Sequence, residues 1–267
     1  MRAAEPIHVT RGTLTLAAVG FVVWAIGYLL IWASPTGTRL EWILCAAGPI
    51  LLAVAILNHL DHHRRRFGIL ALILLNVAVV LQAVVFVPYA VNPALRGTPG
   101  WGQFAYVAWG ASWIIAALGV FVVLARKEAR IEHGDKTAET EIHATFFQLA
   151  TLAVGMLIYG LSFIGLSTDR NSQFLGWLTV IGPALIAVSI IAHVEHLSLR
   201  IGRPAVILAI IGVSVWAAKN LVRATTTLMS DPGVSTLVVY GIQGIILMLG
   251  AIACVLVLLH KRAWQPV

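Results

Sequence analysis

Charge is scarce in this chain. Only 11% of its 267 residues are Asp, Glu, Lys or Arg, against about a quarter in an ordinary soluble domain. The shortage is deepest among the acids, with 11 Asp and Glu against 18 Lys and Arg. So few charges exclude a water-facing surface over most of the molecule. Cysteine is scarcer still. Cys45 and Cys254 both lie inside apolar runs, which excludes a disulfide framework and a CxxC pair. The chain also lacks a Walker motif, a GxSxG elbow, a GxGxxG ahead of a helix and an HExxH pair. None of its polar stretches is long enough for a soluble catalytic domain.

What the chain has is apolar length. Hydrophobic residues make up 60% of it. A membrane span needs about 20 mainly apolar residues, and eight such runs stand out, near 13–33, 41–59, 67–89, 102–125, 145–167, 174–192, 204–226 and 234–259. Turn-forming residues separate them, among them Ser34-Pro35-Thr36-Gly37 and Ser230-Asp231-Pro232-Gly233. Backbone groups cannot stay unpaired in hydrocarbon, so runs of this length must be helices. The fold class expected is an all-α integral membrane protein of eight transmembrane helices, in contact with a lipid bilayer. The first run has no clear small-x-small cleavage site and reads as a span rather than a removed signal peptide.

Basic residues set the orientation. Arg2, Arg11, Arg64, Arg65, Arg66, Arg126, Lys127, Arg130, Lys136, Arg200, Arg203, Lys261 and Arg262 fall on one side, against Arg39, Arg96 and Arg170 on the other. Under the positive-inside rule this predicts a multi-pass protein of the cell membrane with both termini cytoplasmic. The same rule accounts for the net charge of +7 without nucleic acid as a partner. The charged stretch 126–144 reads as the longest cytoplasmic loop.

An internal repeat runs through the sequence. The segment from Gly48-Pro49 through His59, Asp61 and His62 matches the segment from Gly182-Pro183 through His193, Glu195 and His196 at a constant offset of 134, with about half of the positions identical. The same offset pairs Arg66 with Arg200, Gly68 with Gly202, Tyr106 with Tyr240, Gly110 with Gly244 and Lys127 with Lys261. One residue of slip pairs Gly20 with Gly155. This predicts two tandem four-helix repeats, 1–134 and 135–267. An even number of spans per repeat makes the repeats parallel, related by an axis along the membrane normal.

Two constellations could carry chemistry. The first is His59, Asp61, His62 and His63, matched by His193, Glu195 and His196. Histidines at i, i+3 and i+4 share a helix face, and imidazole with carboxylate suits a transition metal. A pair such as His59 and His193 could instead hold a haem axially. All nine histidines fall on the predicted cytoplasmic half, which also fits proton handling or plain interfacial placement. The HxxHH and HxxH pattern resembles the histidine boxes of membrane di-iron desaturases and hydroxylases over about ten residues. That resemblance would imply non-haem iron, but a third box is missing, because His133 and His143 lie too far apart.

The second constellation is Lys219, Asn220 and Arg223 in the seventh run. Lys219 and Arg223 share a face, and a charge inside a span usually faces a cavity or partner. Their counterparts Val85 and Tyr89 are uncharged, so this feature belongs to one half only. Snorkelling to the headgroups is the plainer alternative. The Gly48-Pro49 and Gly182-Pro183 pairs read as first-turn prolines. Trp42, Trp101, Tyr106, Trp177 and Trp264 read as interfacial anchors.

Three function classes fit. One is a small-solute or ion transporter, with Lys219, Asn220 and Arg223 as the substrate site and the histidines responding to protons or metal. Another is a redox or cofactor-binding protein or anchor subunit, holding haem, quinone or non-haem iron. The last is a non-catalytic subunit of a larger complex, with partner subunits or a second copy.

Overall fold

The computed structural model describes residues 9–34, 38–58, 60–95, 98–135, 142, 144–225 and 232–263, without the side chains of Asp61, His62, Pro232, Arg262 and Ala263. Among the described residues all regular structure is helical: α1 Arg11–Ala33, α2 Arg39–Leu57, α3 Leu60–Phe67, α4 Ile69–Val84, α5 Val87–Val91, α6 Pro99–Glu132, α7 Phe146–Thr168, α8 Gln173–Ile191, α9 Val194–Ile201, α10 Arg203–Thr225, α11 Pro232–Thr236 and α12 Ile242–Ala263. A π-helical turn, Leu237–Gly241, joins α11 to α12. Eight of the resulting segments are long and apolar enough to cross a membrane, with α4 and α5 together making the third and α11 to α12 the eighth. Large apolar side chains point outward along them, Val91, Phe146 and Phe174 among the most exposed. Such a surface is stable against lipid and not against water.

The spans form a closed ring. Each packs on its neighbours in chain order, and α12 returns to pack on α1. Small residues let the backbones approach, as membrane helix interfaces require. A Cβ on Gly20 of α1 would come within 3.1 Å of the Gly48 carbonyl of α2, and one on Gly155 of α7 within 2.8 Å of the Gly182 carbonyl of α8. The contact of α6 with α7 brings a Gly110 Cβ within 2.7 Å of Ile164; the contact that closes the ring brings a Gly244 Cβ within 2.7 Å of Leu29. Lys127, near the end of α6, donates to the Ala144 carbonyl just before α7, at 2.7 Å. Lys261, at the end of the eighth, donates to the Val9 carbonyl just before α1.

Three expectations change here. Pro49 and Pro183 sit inside α2 and α8, fully buried, rather than in a first turn. A proline there presents no N–H, and the neighbouring Gly48 and Gly182 use the space for close packing. Trp42 is no interfacial anchor: it is 3% exposed and its ring lies 5.0 Å from Tyr89. Helix α6 runs on through part of the predicted loop to Glu132, because no breaker intervenes before Gly134, whose φ of +78° ends it. At about 1.5 Å per residue its 34 residues outreach a hydrocarbon layer of about 30 Å.

With an even number of spans, the ends of α1 and α12 lie on one face, the terminal face. The other is the opposite face. The short amphipathic helices α3 and α9 follow α2 and α8 at the terminal face, each ended by a glycine at positive φ, Gly68 at +86° and Gly202 at +88°.

Candidate anion site in the central cavity

The ring surrounds a partly open cavity of about 500 Å³. Side chains from α1, α2, α4, α6, α7, α10 and α12 line it. One face of α10 supplies its charge, because Trp216, Lys219, Asn220 and Arg223 recur at the spacing of one helical stripe. Lys219 Nζ donates to Gln243 Oε1 of α12 at 2.5 Å. Arg223 donates to the Tyr106 hydroxyl of α6, and its guanidinium carbon lies 5.6 Å from that ring. Trp216 Nε1 donates to the Tyr159 hydroxyl at 3.0 Å. Asn220, 2% exposed, donates to the Trp216 carbonyl at 3.1 Å. Across the cavity Gln82 of α4 donates to the Ser112 hydroxyl of α6.

Among the described residues no Asp or Glu lines this cavity. Glu41, the one acid fully buried among the described residues, accepts from Thr38 at the start of α2 and lies outside the cavity wall. The described partners of the α10 cations, Gln243 and Tyr106, are neutral. In a wall of low polarity the Coulomb attraction for an anion is weakly screened.

All three substrate-site residues expected from the sequence line this one cavity. Gln243, Tyr159, Trp216 and Tyr106 complete the arrangement and were not singled out as site residues. The repeat pairing of Tyr106 with Tyr240 was the one available signal, since Tyr240 lines the cavity and Tyr106 holds Arg223.

The histidine constellation is placed less fully. His59, and the side chains of Asp61 and His62, lie outside the described residues. His63 on α3 stacks on Phe67 at 5.8 Å. Helix α8 ends at Ile191, before His193, so His193 and His196 do not continue one face of that helix. His193 instead caps α9, with Nδ1 2.7 Å from Gln148 Nε2, and its ring lies 4.8 Å from His196. Glu195 is exposed. Among the described residues no three metal-ligating side chains gather. Burial lowers the pKa of His193 below its ordinary value, helped by His196, Arg200 and Lys127; burial and then Arg200 lower that of His196. A neutral His193 accepts the Gln148 amide proton at Nδ1, so hydrogen bond and pKa agree.

No match to this chain was found among family models, curated proteins or solved structures.

Proposed function

We propose that this chain is a transporter of small anionic solutes, with the central cavity as its binding site. The observation that carries this is the pair Lys219 and Arg223, turned into one central cavity with no acidic residue in its wall among the described residues. A charge within a span is costly, up to about 2.5–3.5 kcal/mol at its centre on insertion scales. A bound anion offsets that cost, and neutral glutamine and tyrosine partners leave room for it.

The halves 1–134 and 135–267 serve in this reading as two parallel repeats around the cavity. Support comes from contacts that recur at the sequence offset: Gly20–Gly48 with Gly155–Gly182, Gly110–Ile164 with Gly244–Leu29, and Lys127–Ala144 with Lys261–Val9. Moving one half against the other would open the cavity to either face in turn. The excess of basic residues at the terminal face supports a cytoplasmic placement for it. A metal- or proton-responsive role for the histidines has one observation in its favour, the close approach of His193 to His196. Elemental analysis beside His193→Ala/His196→Ala tests the metal role: a metal lost in the variant supports it, and the same content in both removes it.

Uptake of labelled benzoate into proteoliposomes tests the main reading. Uptake that falls at least about tenfold in Lys219→Ala, a loss of about 1.4 kcal/mol, is expected. Uptake unchanged by the substitution would overturn it.

A further inference from the structure

The cavity is far larger than a simple anion needs. Its 500 Å³ or so lies in the range of about 300–1,000 Å³ typical of sites for organic ligands, whereas one water occupies about 30 Å³. Nine of the side chains lining it are aromatic, and most of the rest are aliphatic. The apolar part of such a wall gives a hydrated inorganic ion nothing to replace its lost water. It suits an apolar body.

Polarity is also unevenly placed along the cavity. Lys219 lies about 9 Å from the opposite-face end of α10, counting about 1.5 Å per residue to Thr225, and Arg223 lies closer still. At the other end the wall reaches Leu52 and Ile56, the last turns of α2 before the terminal face. The cationic groups therefore mark one end of the space and aliphatic side chains the other.

Two further groups fit this polarity. Arg170, exposed in the loop after α7, sets its guanidinium carbon 5.4 Å from the Tyr106 ring, the ring that Arg223 also covers. Two guanidiniums against one ring make a positive collar from the opposite face towards Lys219. Trp24, in the cavity wall, has a buried indole N–H with no hydrogen-bond partner among the described residues. Its counterpart Tyr159, at the one-residue slip, accepts from Trp216. A buried donor without a partner costs about 1–3 kcal/mol, and an acceptor on the ligand body would satisfy it.

Resting on the anion-transport reading, we propose that the ligand is an amphipathic organic anion: one anionic head, held by Lys219 and Arg223, on an apolar body that fills the aromatic and aliphatic part of the cavity and presents an acceptor to Trp24. It comes in past Arg170 and Tyr106, head towards the opposite face. An inorganic anion meets only the head of this site.

The test uses the full chain in nanodiscs of neutral lipid. Binding is read from tryptophan fluorescence with four probes: 6-hydroxy-2-naphthoate, its neutral amide, chloride and phosphate. The expected result is naphthoate bound at least about tenfold tighter than the amide, with chloride and phosphate displacing it only at far higher concentration. The preference over the amide disappears in Lys219→Gln/Arg223→Gln. Trp24→Phe, which keeps the ring and removes the N–H, weakens naphthoate about fivefold, the scale of one neutral hydrogen bond. If chloride or phosphate matches naphthoate, the organic body is wrong and the anion reading stands. Equal binding of naphthoate and amide, or binding of neither, overturns both. The comparison of naphthoate with amide needs no variant, so it decides even if the double substitution does not fold.

Discussion

Lys219 and Val85 stand 134 residues apart, one a cation in the cavity wall and the other fully buried in an apolar cluster with Ala105 and Ala108. Exchanging their chemistry is instructive. Lys219→Arg keeps the charge and a donor for Gln243, so anion uptake should stay within a few fold, while Lys219→Ala should remove it. Measuring both on the same proteoliposomes separates charge from packing. The charged residues were legible in the sequence because a cation inside an apolar run is costly and therefore conspicuous. Gln243, Tyr159 and Trp216 were not, because a neutral residue in such a run carries no comparable mark. The terminal-face histidine gives a second prediction. Burial lowers the His193 pKa from 6.5, so the folded chain binds this proton less readily than the unfolded one. Its contribution to stability is complete above pH 6.5 and is lost as pH falls from there towards the lowered value. Thermal unfolding between about pH 5 and pH 8 should therefore show a loss on acidification that His193→Gln reduces. An equal loss in both would remove His193 from the account.

Among the elements, the close pairing of α1 with α2 depends on glycine. A Cβ on Gly48 would lie 2.3 Å from the Trp24 Cβ, and one on Gly182 2.7 Å from the Tyr159 Cβ. Trp24 and Tyr159 both line the cavity, so these contacts set the wall as well as the helix spacing. Gly48→Ala or Gly182→Ala should each cost about 1–3 kcal/mol by overpacking, measured by SDS-induced unfolding, and should shift the tryptophan emission. Unchanged stability in both would mean that these helices sit further apart. The glycines and prolines were visible in the sequence, but their meaning was not. Spacing alone cannot tell a first-turn proline from one in mid-span, and only the lengths of α2 and α8 place Pro49 and Pro183 in the interior. The end of α2 before His59 was equally hidden, because Asn58, His59 and Leu60 carry no strong breaker.

At the scale of the whole molecule, the eight spans were legible from apolar length, and the ring was not. Helix neighbours in a membrane are chosen by small residues and shape rather than by polar marks, so nothing in the sequence says that α12 returns to α1. A crosslink tests the closure. In a background without Cys45 and Cys254, Leu29→Cys/Gly244→Cys should form an intramolecular disulfide as readily as Gly110→Cys/Ile164→Cys, since both contacts are equally close. A chain of helices left open would crosslink the second pair and not the first. In the proposed function closure matters because it turns Lys219 and Arg223 towards the central cavity instead of leaving them facing lipid. The central claim is that their charge selects the solute, and its sign can be reversed. Uptake of benzoate and of benzylammonium should be compared between the natural chain and Lys219→Glu/Arg223→Glu. The account predicts that the natural chain prefers benzoate and the variant benzylammonium. An unchanged order of preference would contradict it.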